Sequence, residues 1–372
     1  MTAYIAKRLL LIFPTLLGIL LITFVIVQFL PGGPVERMIA KITGTDVSAT
    51  ARIGGTEGGD FGVSGRTQAG ATAESSVTSK YRGAQGLDPA FIKQLEKQFG
   101  LDKPAHERFI KLVWDYLRFD FGESYYRNIS VIDLILEKMP VSISLGLWLT
   151  LLTYGIAVPL GIRKAVRDGT PFDIWTSSVL VIGFAIPSFV LGVMLIVFFA
   201  GGSFFDWFPL RGLTSDNWES LSLVGKVFDY LWHLVLPLIA MGIGAFTTLA
   251  FLTKNSFLDE ITKQYVITAR SKGLTEHRVL YGHVFRNAML IIIAGFPGAF
   301  LGAFFGGSLL IETIFSLDGL GLLSFKSLID RDYPVVLGTL YMFSLLGLIV
   351  HLLTDLTYTL VDPRIDFENR EV

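Results

Sequence analysis

Cysteine is absent from this chain, and charged residues and histidine are sparse. Without a thiol the chain has no disulfide, no thiolate metal ligand and no cysteine nucleophile. Charged residues make up 17% of the sequence and balance to a formal net charge of −1. This balance gives no case for nucleic-acid binding, which depends on an excess of basic side chains. The five histidines are scattered, so the sequence predicts no metal site.

Motifs that carry chemistry in nucleotide-dependent and hydrolytic enzymes are also missing. Gly225-Lys226 is followed by Val227 and lacks the upstream glycine of a phosphate-binding loop. Neither His-Glu-x-x-His nor Gly-x-Ser-x-Gly occurs. We therefore expect no catalytic residue and no cofactor in this chain, and any ATP hydrolysis must come from another subunit.

Apolar residues make up 52% of the sequence and are gathered into long runs. Each run has about the twenty residues that a helix needs to cross a bilayer. The sequence therefore predicts an all-α membrane protein with six spans, at residues 9–30, 140–162, 173–200, 229–252, 287–309 and 334–360. The first run ends in Pro31-Gly32-Gly33-Pro34, unlike a signal-peptide cleavage site, so we interpret it as a retained span.

Basic residues orient these spans, because short cytoplasmic segments carry an excess of Lys and Arg. With the N-terminus inside, the cytoplasmic segments hold most of them: Lys7, Arg8, Arg163, Lys164, Arg167, Lys254, Lys263, Arg270, Lys272, Arg278, Arg286, Arg364 and Arg370. The short outside segments hold only Arg211, Lys226, Lys326 and Arg331. Both termini are therefore predicted to be cytoplasmic.

The predicted organisation has four parts. They are an N-terminal tail with the first span at 1–30, a periplasmic segment at 31–139, a five-helix core at 140–360 with a cytoplasmic loop at 253–286, and a cytoplasmic tail at 361–372.

The periplasmic segment itself has two parts. Residues 44–86 are rich in Gly, Ser, Thr and Ala, which predicts a flexible loop or one that orders against a partner. Residues 88–120 predict a helical subdomain with an amphipathic helix from about residue 104 to 117. Its aromatic side chains suit the membrane interface: Trp114, Tyr116 and Phe119.

The most cationic short segment, residues 263–290, lies between the fourth and fifth predicted spans. Tyr265, Val266 and Ala269 fall on one face of a helix, and Gly273 can take the left-handed conformation that ends it. A short capped helix held between two spans suits docking to another protein. The alternative is an ordinary basic cytoplasmic loop.

The same segment resembles a known family. Ile267-Thr268-Ala269-Arg270-Ser271-Lys272-Gly273, followed by Phe285-Arg286-Asn287-Ala288, is similar to the cytoplasmic coupling loop of ABC importer permeases of the dipeptide/oligopeptide type. Ile291 stands where relatives tend to have a proline that would kink the next span. The resemblance implies that the ATPase-coupling residues are Tyr265, Val266, Thr268, Ala269, Arg270, Lys272, Gly273, Arg286 and Asn287.

The resemblance runs from end to end. Landmarks of peptide permeases recur in order, among them Pro159-Leu160-Gly161-Ile162, Pro187-Ser188-Phe189 and Arg331-Asp332-Tyr333-Pro334. Residues 40–86 and the aromatic run at 203–212 distinguish this chain within the family. The resemblance implies a type I importer permease fold in the bacterial inner membrane. It also implies three partners: a second homologous permease, a cytoplasmic ATPase that binds ATP and magnesium, and a periplasmic peptide-binding protein.

Two further groups of residues are candidate sites. Gly298, Gly302 and Gly306 lie four apart in the fifth span and form one small-residue face, for packing either within this chain or against the second permease. The turn at 311–321 resembles the family's loop beside the outer mouth, with candidate gate residues Glu312, Phe315, Gly319 and Gly321. Glu312 is expected to form a surface salt bridge or, alternatively, to meet a substrate amine or the delivering protein.

Prolines and ionisable groups inside the spans complete the sequence-based predictions. Pro187 and Pro237 each remove a backbone hydrogen bond and should kink the third and fourth spans. His351 and Asp355 are the exceptional ionisable residues of the last span, where pairing with a neighbouring helix or the coupling loop competes with a proton relay.

The function that these features favour is the permease subunit of an ATP-driven importer of oligopeptides or peptide-like compounds. A membrane scaffold or receptor that binds a periplasmic partner without transport is the alternative, and a passive channel is a third possibility. Lipid is a partner in each case. The scaffold predicts that no ATPase accompanies the purified protein.

Overall fold

A computed structural model describes residues 2–29, 35, 39, 90, 93, 102–127, 129–202, 204–305 and 309–361. Among these residues the secondary structure is helical, apart from one isolated bridge between Glu123 and Ser130. The chain divides into two compact units. The first comprises Met1–Leu16, Asp133–Phe325 and Thr339–Val372, and the second comprises Leu17–Ile132 and Lys326–Gly338.

The helices are numbered here in chain order. They are α1 (Thr2–Phe29), α2 (Ala105–Leu117), α3 (Val131–Val166), α4 (Pro171–Ala185), α5 (Ser188–Phe199), α6 (Leu223–Ile261), α7 (Gln264–Ser271), α8 (Glu276–Val279), α9 (Phe285–Ala288), α10 (Leu290–Phe305), α11 (Leu309–Ile314), α12 (Leu320–Asp330) and α13 (Tyr333–Val361). A 3₁₀ turn at Trp218–Ser220 and a π turn at Leu280–Val284 complete the set.

Four helices, α1, α3, α6 and α13, are long and apolar enough to cross a membrane. Two bent pairs raise the number to six if each pair is one span, so the predicted six remain compatible with the structure. The helices extend past the apolar runs: α3 begins at Val131 and α6 ends at Ile261. At 1.5 Å per residue the 39 residues of α6 cover about 58 Å, nearly twice the hydrocarbon thickness.

The first bent pair breaks at Pro187, as the sequence predicts. Proline disfavours helical dihedrals in the residue before it, and Ile186 is extended, with φ −84° and ψ 122°. The axes of α4 and α5 differ by 98° across this break. At Pro237 there is no such break, because α6 continues through that proline, and the predicted kink there stays a prediction.

The second bent pair has no proline at its break. The segment Glu276–Ala288 and the start of α10 differ in direction by 52°. The π turn at 280–284 lies within the first member, and π turns interrupt the regular i to i+4 ladder. Met289 separates the two members. A bend therefore occurs at the start of the fifth span although Ile291 replaces the family proline.

The second unit contains α2, the helix predicted from about residue 104 to 117. Tyr116 is buried and packs edge-on against Phe121, with ring centroids 4.9 Å apart, so its predicted place at the membrane interface is wrong. Trp114 remains exposed, and the Arg118 guanidinium lies over its ring. Residues 44–86, the start of the predicted helical subdomain at 88–101 and the cytoplasmic tail lie outside the described residues, apart from Ala90, Lys93 and Val361.

Two apolar clusters lie among the described residues of the first unit. One joins α3, α6, α7 and α10 and includes Phe257 and Val266; the other joins α3, α5, α6 and α11 and includes Leu234 and Phe315. Candidate functional residues lie beside both clusters.

Candidate functional site

The basic segment forms the short helix α7, which begins after Lys263 and ends after Ser271. Gly273 has φ +80°, the left-handed conformation predicted for it, and its N–H donates to the Arg270 carbonyl at 2.9 Å. Lys272 is the C-cap residue, where a cation meets the negative end of the helix dipole. The local sequence therefore sets both the length and the end of α7.

One face of α7 is buried in the first apolar cluster. Val266 is 0% exposed and Ala269 is 6% exposed, and Tyr265 packs against the same cluster. The cluster also contains Ala157 of α3 and Phe257 of α6. Because buried side chains in a protein interior are closely packed, α7 cannot shift without moving the neighbouring helices. The predicted apolar stripe is confirmed.

The opposite face of α7 is exposed. It carries Ile267, Thr268 and Arg270, and Lys272 follows at the C-cap. Arg270 forms a two-pronged pair with Glu276, with N···O distances of 3.0 and 3.1 Å, which holds the segment after Gly273 against α7. This face offers apolar, hydroxyl and cationic groups to a partner.

Glu260, at the end of α6, joins the two parts of the family motif. Its carboxylate accepts hydrogen bonds from the Tyr265 hydroxyl at 2.6 Å and from Lys263. Burial acts to raise the pKa of Glu260, but Lys263, Tyr265 and the nearby Asn287 amide outweigh it and lower that pKa. The Asn287 amide also acts to lower the pKa of the Tyr265 hydroxyl. Burial, together with the bond to Glu260, raises the pKa of Tyr265, so its hydroxyl stays protonated at neutral pH. Glu260 was not among the residues predicted from the sequence, although it lies five residues before Tyr265.

The segment after the π turn is tied to α6 by further contacts. The Ser256 hydroxyl donates to the Ala288 carbonyl at 2.7 Å, and the Phe257 and Phe285 rings meet edge-on at 6.0 Å. Arg286 is exposed and lies apart from this network, although the motif includes it. Of the two motif residues in this segment, the structure brings Asn287 to α7.

The small-residue face of α10 is open. A Cβ added at Gly298 would lie 4.0 Å from the Thr354 hydroxyl of α13, and at Gly302 no described atom lies within 4 Å. Gly302 is also exposed, while Gly306 lies outside the described residues. Within the described part of the chain, packing at this face is confined to the edge of Gly298.

The candidate gate loop is built around a buried carboxylate. The prediction of a surface salt bridge for Glu312 is wrong, because the residue is 2% exposed and accepts a hydrogen bond from the Leu322 N–H at 2.7 Å. A Cβ at Gly319 would lie 2.8 Å from the Glu312 carboxyl and one at Gly321 would lie 3.1 Å from it. A side chain at Gly319 would therefore force the carboxylate to shift, while one at Gly321 would only press tightly against it.

Burial raises the pKa of the Glu312 carboxyl, and the neighbouring N–H groups act in the opposite direction. The salt bridge of this loop is made instead by Asp318, whose carboxylate lies 2.6 Å from the Lys138 amine. Phe315 is buried, and its carbonyl accepts from the Gly212 N–H at 2.9 Å. The aromatic run is thereby joined to the gate loop.

A buried ionic network joins α3, α4 and α6. Lys164, 0% exposed, lies 3.0 Å from the Asp173 carboxylate and donates to the Thr176 and Ser177 hydroxyls. Lys254 pairs with both Asp168 and Asp173 at 2.7 Å. The sequence placed Lys164 in a cytoplasmic loop, whereas the structure extends α3 to Val166 and buries this residue.

The ionisable residues of the last span have different environments. Asp355 accepts a hydrogen bond from Tyr4 at 2.8 Å and pairs with Arg8 at 3.0 Å, so it pairs with a neighbouring helix as one alternative predicted. His351 is exposed.

Comparison with known proteins finds relatives over the whole chain. The family model of binding-protein-dependent transport system inner membrane components matches residues 157–367. The chain is 62% identical over 372 residues to the peptidoglycan transport system permease protein YejB of Agrobacterium fabrum, and the alignment covers 100% of each protein. It is 54% identical over 371 residues to the inner membrane ABC transporter permease protein YejB of Escherichia coli O157:H7, again covering 100% of each.

A more distant relative is the oligopeptide transport system permease protein AppB of Bacillus subtilis, 31% identical over 99% of this chain and 100% of the relative. The resemblance to dipeptide/oligopeptide permeases is confirmed. So is the closer resemblance to Yej-type permeases that residues 40–86 and the aromatic run indicate.

Proposed function

We propose that this chain, which belongs to the family of binding-protein-dependent transport system inner membrane components, conducts oligopeptides or peptide-like compounds across the bacterial inner membrane. It is an ABC importer permease, a multi-pass inner-membrane protein of helical fold. The names of its relatives support the substrate class, since one belongs to a peptidoglycan transport system and another to an oligopeptide transport system.

The observation that carries the coupling role is the two-faced helix α7. Its buried face holds Val266 and Ala269 against α3 and α6, while its other face leaves Ile267 and Thr268 exposed. When a partner displaces such a helix through its exposed face, the buried face passes the displacement to the helices packed against it. We assign the exposed face to a separate cytoplasmic ATPase, which holds the ATP and magnesium.

Transmission follows from the contacts of α7. Closure of the ATPases displaces α7, and the close-packed cluster carries the movement into α3, α6 and α10. The Glu260 network adds a polar connection from Tyr265 to Asn287, next to the 52° bend at Met289. This segment is the natural place for the bundle to switch between outward-open and inward-open states, a two-state element biased by nucleotide.

The remaining partners complete the importer. A second homologous permease packs on the open glycine face of α10, where Gly302 has no described atom within 4 Å of its Cβ position. A periplasmic peptide-binding protein delivers substrate on the side of residues 31–139. Both termini and α7 face the cytoplasm in this arrangement, in accordance with the distribution of Lys and Arg.

The experiment is a gentle-detergent purification of the tagged chain from its native membrane, followed by ATPase assays with and without peptide-loaded binding protein. Because the chain has no cysteine, a single Thr268→Cys substitution with a thiol-linked photocrosslinker tests α7 directly. We expect a crosslink to the ATPase, and none from Glu219→Cys in the segment assigned to the periplasm. Recovery of the chain without an ATPase in several detergents would favour the scaffold function instead.

A further inference from the structure

The aromatic run at 204–210 folds back onto the end of α5. The N–H of Phe205 donates to the Phe198 carbonyl at 2.9 Å, and those of Trp207 and Phe208 donate to the Phe199 carbonyl at 2.9 and 3.0 Å. These bonds satisfy backbone groups of the run and carbonyls that the end of a helix leaves free. The polar backbone is thus directed inward.

The run is also clamped to the first turns of α6. The Trp232 indole N–H donates to the Trp207 carbonyl at 2.9 Å, and the Phe208 ring stacks on the Trp232 ring with centroids 4.4 Å apart. Phe205 and Trp207 pack on each other at 4.6 Å. These contacts hold the rings together as one surface.

The outward side of this surface is apolar. Six side chains are exposed, each by about half or more, and we call them the aromatic belt: Phe204, Phe205, Trp207, Val224, Phe228 and Trp232. On α6 the exposed stripe runs from Phe228 through Trp232 to Ile239, positions that share one helix face. The belt is therefore continuous with the apolar surface of a membrane-crossing helix.

The polar side chains at the start of α6 turn the other way. Lys226 pairs with Glu219 and lies over the Trp218 ring, and Asp229 accepts from the Ser215 N–H and hydroxyl at 2.9 and 2.5 Å. These groups face the loop at 213–222 and leave the belt uncharged. Asp206, exposed within the run, lies beside the rings. Rings bordered by polar groups are typical of the bilayer interface, where Trp is enriched.

We propose that the aromatic belt is seated in the headgroup–acyl boundary of the lipid bilayer. The partner is the lipid surface, because the belt continues a helix face that enters the membrane and because the nearby backbone donors are already bonded. The α6 helix is about 28 Å longer than the hydrocarbon core, so its first turns reach this boundary. Through the bond from the Gly212 N–H to the Phe315 carbonyl, the belt fixes the gate loop at a set depth.

The test uses the complete importer in lipid nanodiscs. Single cysteines at Phe204 and Phe228 carry a nitroxide label, and the matched control is Glu219→Cys on the polar side of the same region. We expect the two belt labels to collide more with oxygen than with a water-soluble nickel chelate, and the control label to show the reverse. Equal nickel accessibility at all three positions would overturn the proposal.

A second measurement leaves the belt rings unlabelled. Brominated lipids should quench a smaller fraction of the tryptophan fluorescence in Trp207→Phe and Trp232→Phe than in the parent, while Trp218→Phe should not lower that fraction. An unchanged fraction in both belt variants would contradict the proposal. Labels shielded from both reagents until the binding protein is removed would also contradict it, and would identify the belt as a protein-docking surface.

Discussion

At the residue scale, the gate loop depends on the absence of a side chain at Gly319. A Cβ there would lie 2.8 Å from the Glu312 carboxyl and 2.9 Å from the Ser142 hydroxyl, both in a buried site. We expect Gly319→Ala to destabilise the loop by about 1–3 kcal/mol, as overpacking does, and to reduce peptide uptake. Thermal unfolding of the purified importer and uptake into proteoliposomes measure the two effects.

The control is Gly155→Ala, since no described atom lies within 4 Å of a Cβ at Gly155. This variant should match the parent in both assays. A Gly319→Ala protein as stable and active as the Gly155→Ala protein would show that the loop relaxes freely.

The buried Glu312 carboxyl gives the loop a pH dependence. Burial raises its pKa above the ordinary value of 4.5, so the folded loop holds the proton more tightly than the unfolded chain does. Its contribution to stability is therefore fully present below about pH 4.5 and is lost as the pH rises through the raised value. We expect the thermal midpoint of the Glu312→Gln importer to depend less on pH over this window than that of the parent. Parallel pH profiles for the two proteins would contradict the assignment.

Buried charges are where prediction from the sequence failed. Glu312 and Lys164 were both assigned to exposed segments, because their neighbours in sequence are polar or lie at the end of an apolar run. Their burial depends on partners from other parts of the fold: a backbone N–H ten residues later for Glu312, and the Asp173 carboxylate for Lys164. Local pattern carries no signal for such pairs.

At the element scale, the two faces of α7 should respond differently to the same charge. Ala269→Asp places a carboxylate in the apolar cluster, so we expect a clear loss of thermal stability together with loss of transport. Thr268→Asp lies on the exposed face of the same helix, so stability should be kept while retention of the ATPase falls. Co-purification and thermal unfolding separate the two outcomes. Equal stability of both variants would refute the two-faced assignment.

The Glu260 network predicts coupling between the two parts of the motif. Tyr265→Phe removes a hydrogen bond to the Glu260 carboxylate, and Asn287→Ala removes an amide that stabilises the ionised form of the same carboxylate, so their effects should not add. We expect an interaction free energy of about 0.5–3 kcal/mol in a double-mutant cycle on thermal stability. Pairing Tyr265→Phe with Arg286→Ala is the control, because Arg286 lies outside the network and its effect should add. If the stability effects add in both pairs, Glu260 does not couple Tyr265 to Asn287.

The bends of the helices show what local sequence determines. The break at Pro187 follows from the dihedral restriction on Ile186, so it was predictable. Pro237 has the same chemistry but is buried in the middle of a 39-residue helix, whose packing keeps the helix continuous. The bend at Met289 has no proline, and its only local signature is a π turn, which no residue pattern in 280–284 announces.

At the scale of the whole molecule, hydropathy predicts where the helices cross but not how far they extend. Apolar runs located the four described helices that are long and apolar enough to cross, and the two bent pairs that pass the same test together, because the bilayer imposes a minimum length on each. The extensions follow from packing outside the bilayer: the end of α6 reaches Ile261, where it supports α7 and holds Glu260 beside Tyr265. The roles of the coupling residues remain predictions that the experiments above address.

The buried ionic network tests how the helices of the first unit are held together. Asp173→Ala leaves Lys164 buried without its carboxylate, a change that typically costs about 3–5 kcal/mol. We expect Asp173→Ala to lower the thermal midpoint of the importer most. The pair Lys164→Met with Asp173→Asn should be milder, because it removes both buried charges and leaves Lys254 paired with Asp168. A double variant less stable than Asp173→Ala would show that Lys164 stabilises the helices through its hydroxyl contacts instead.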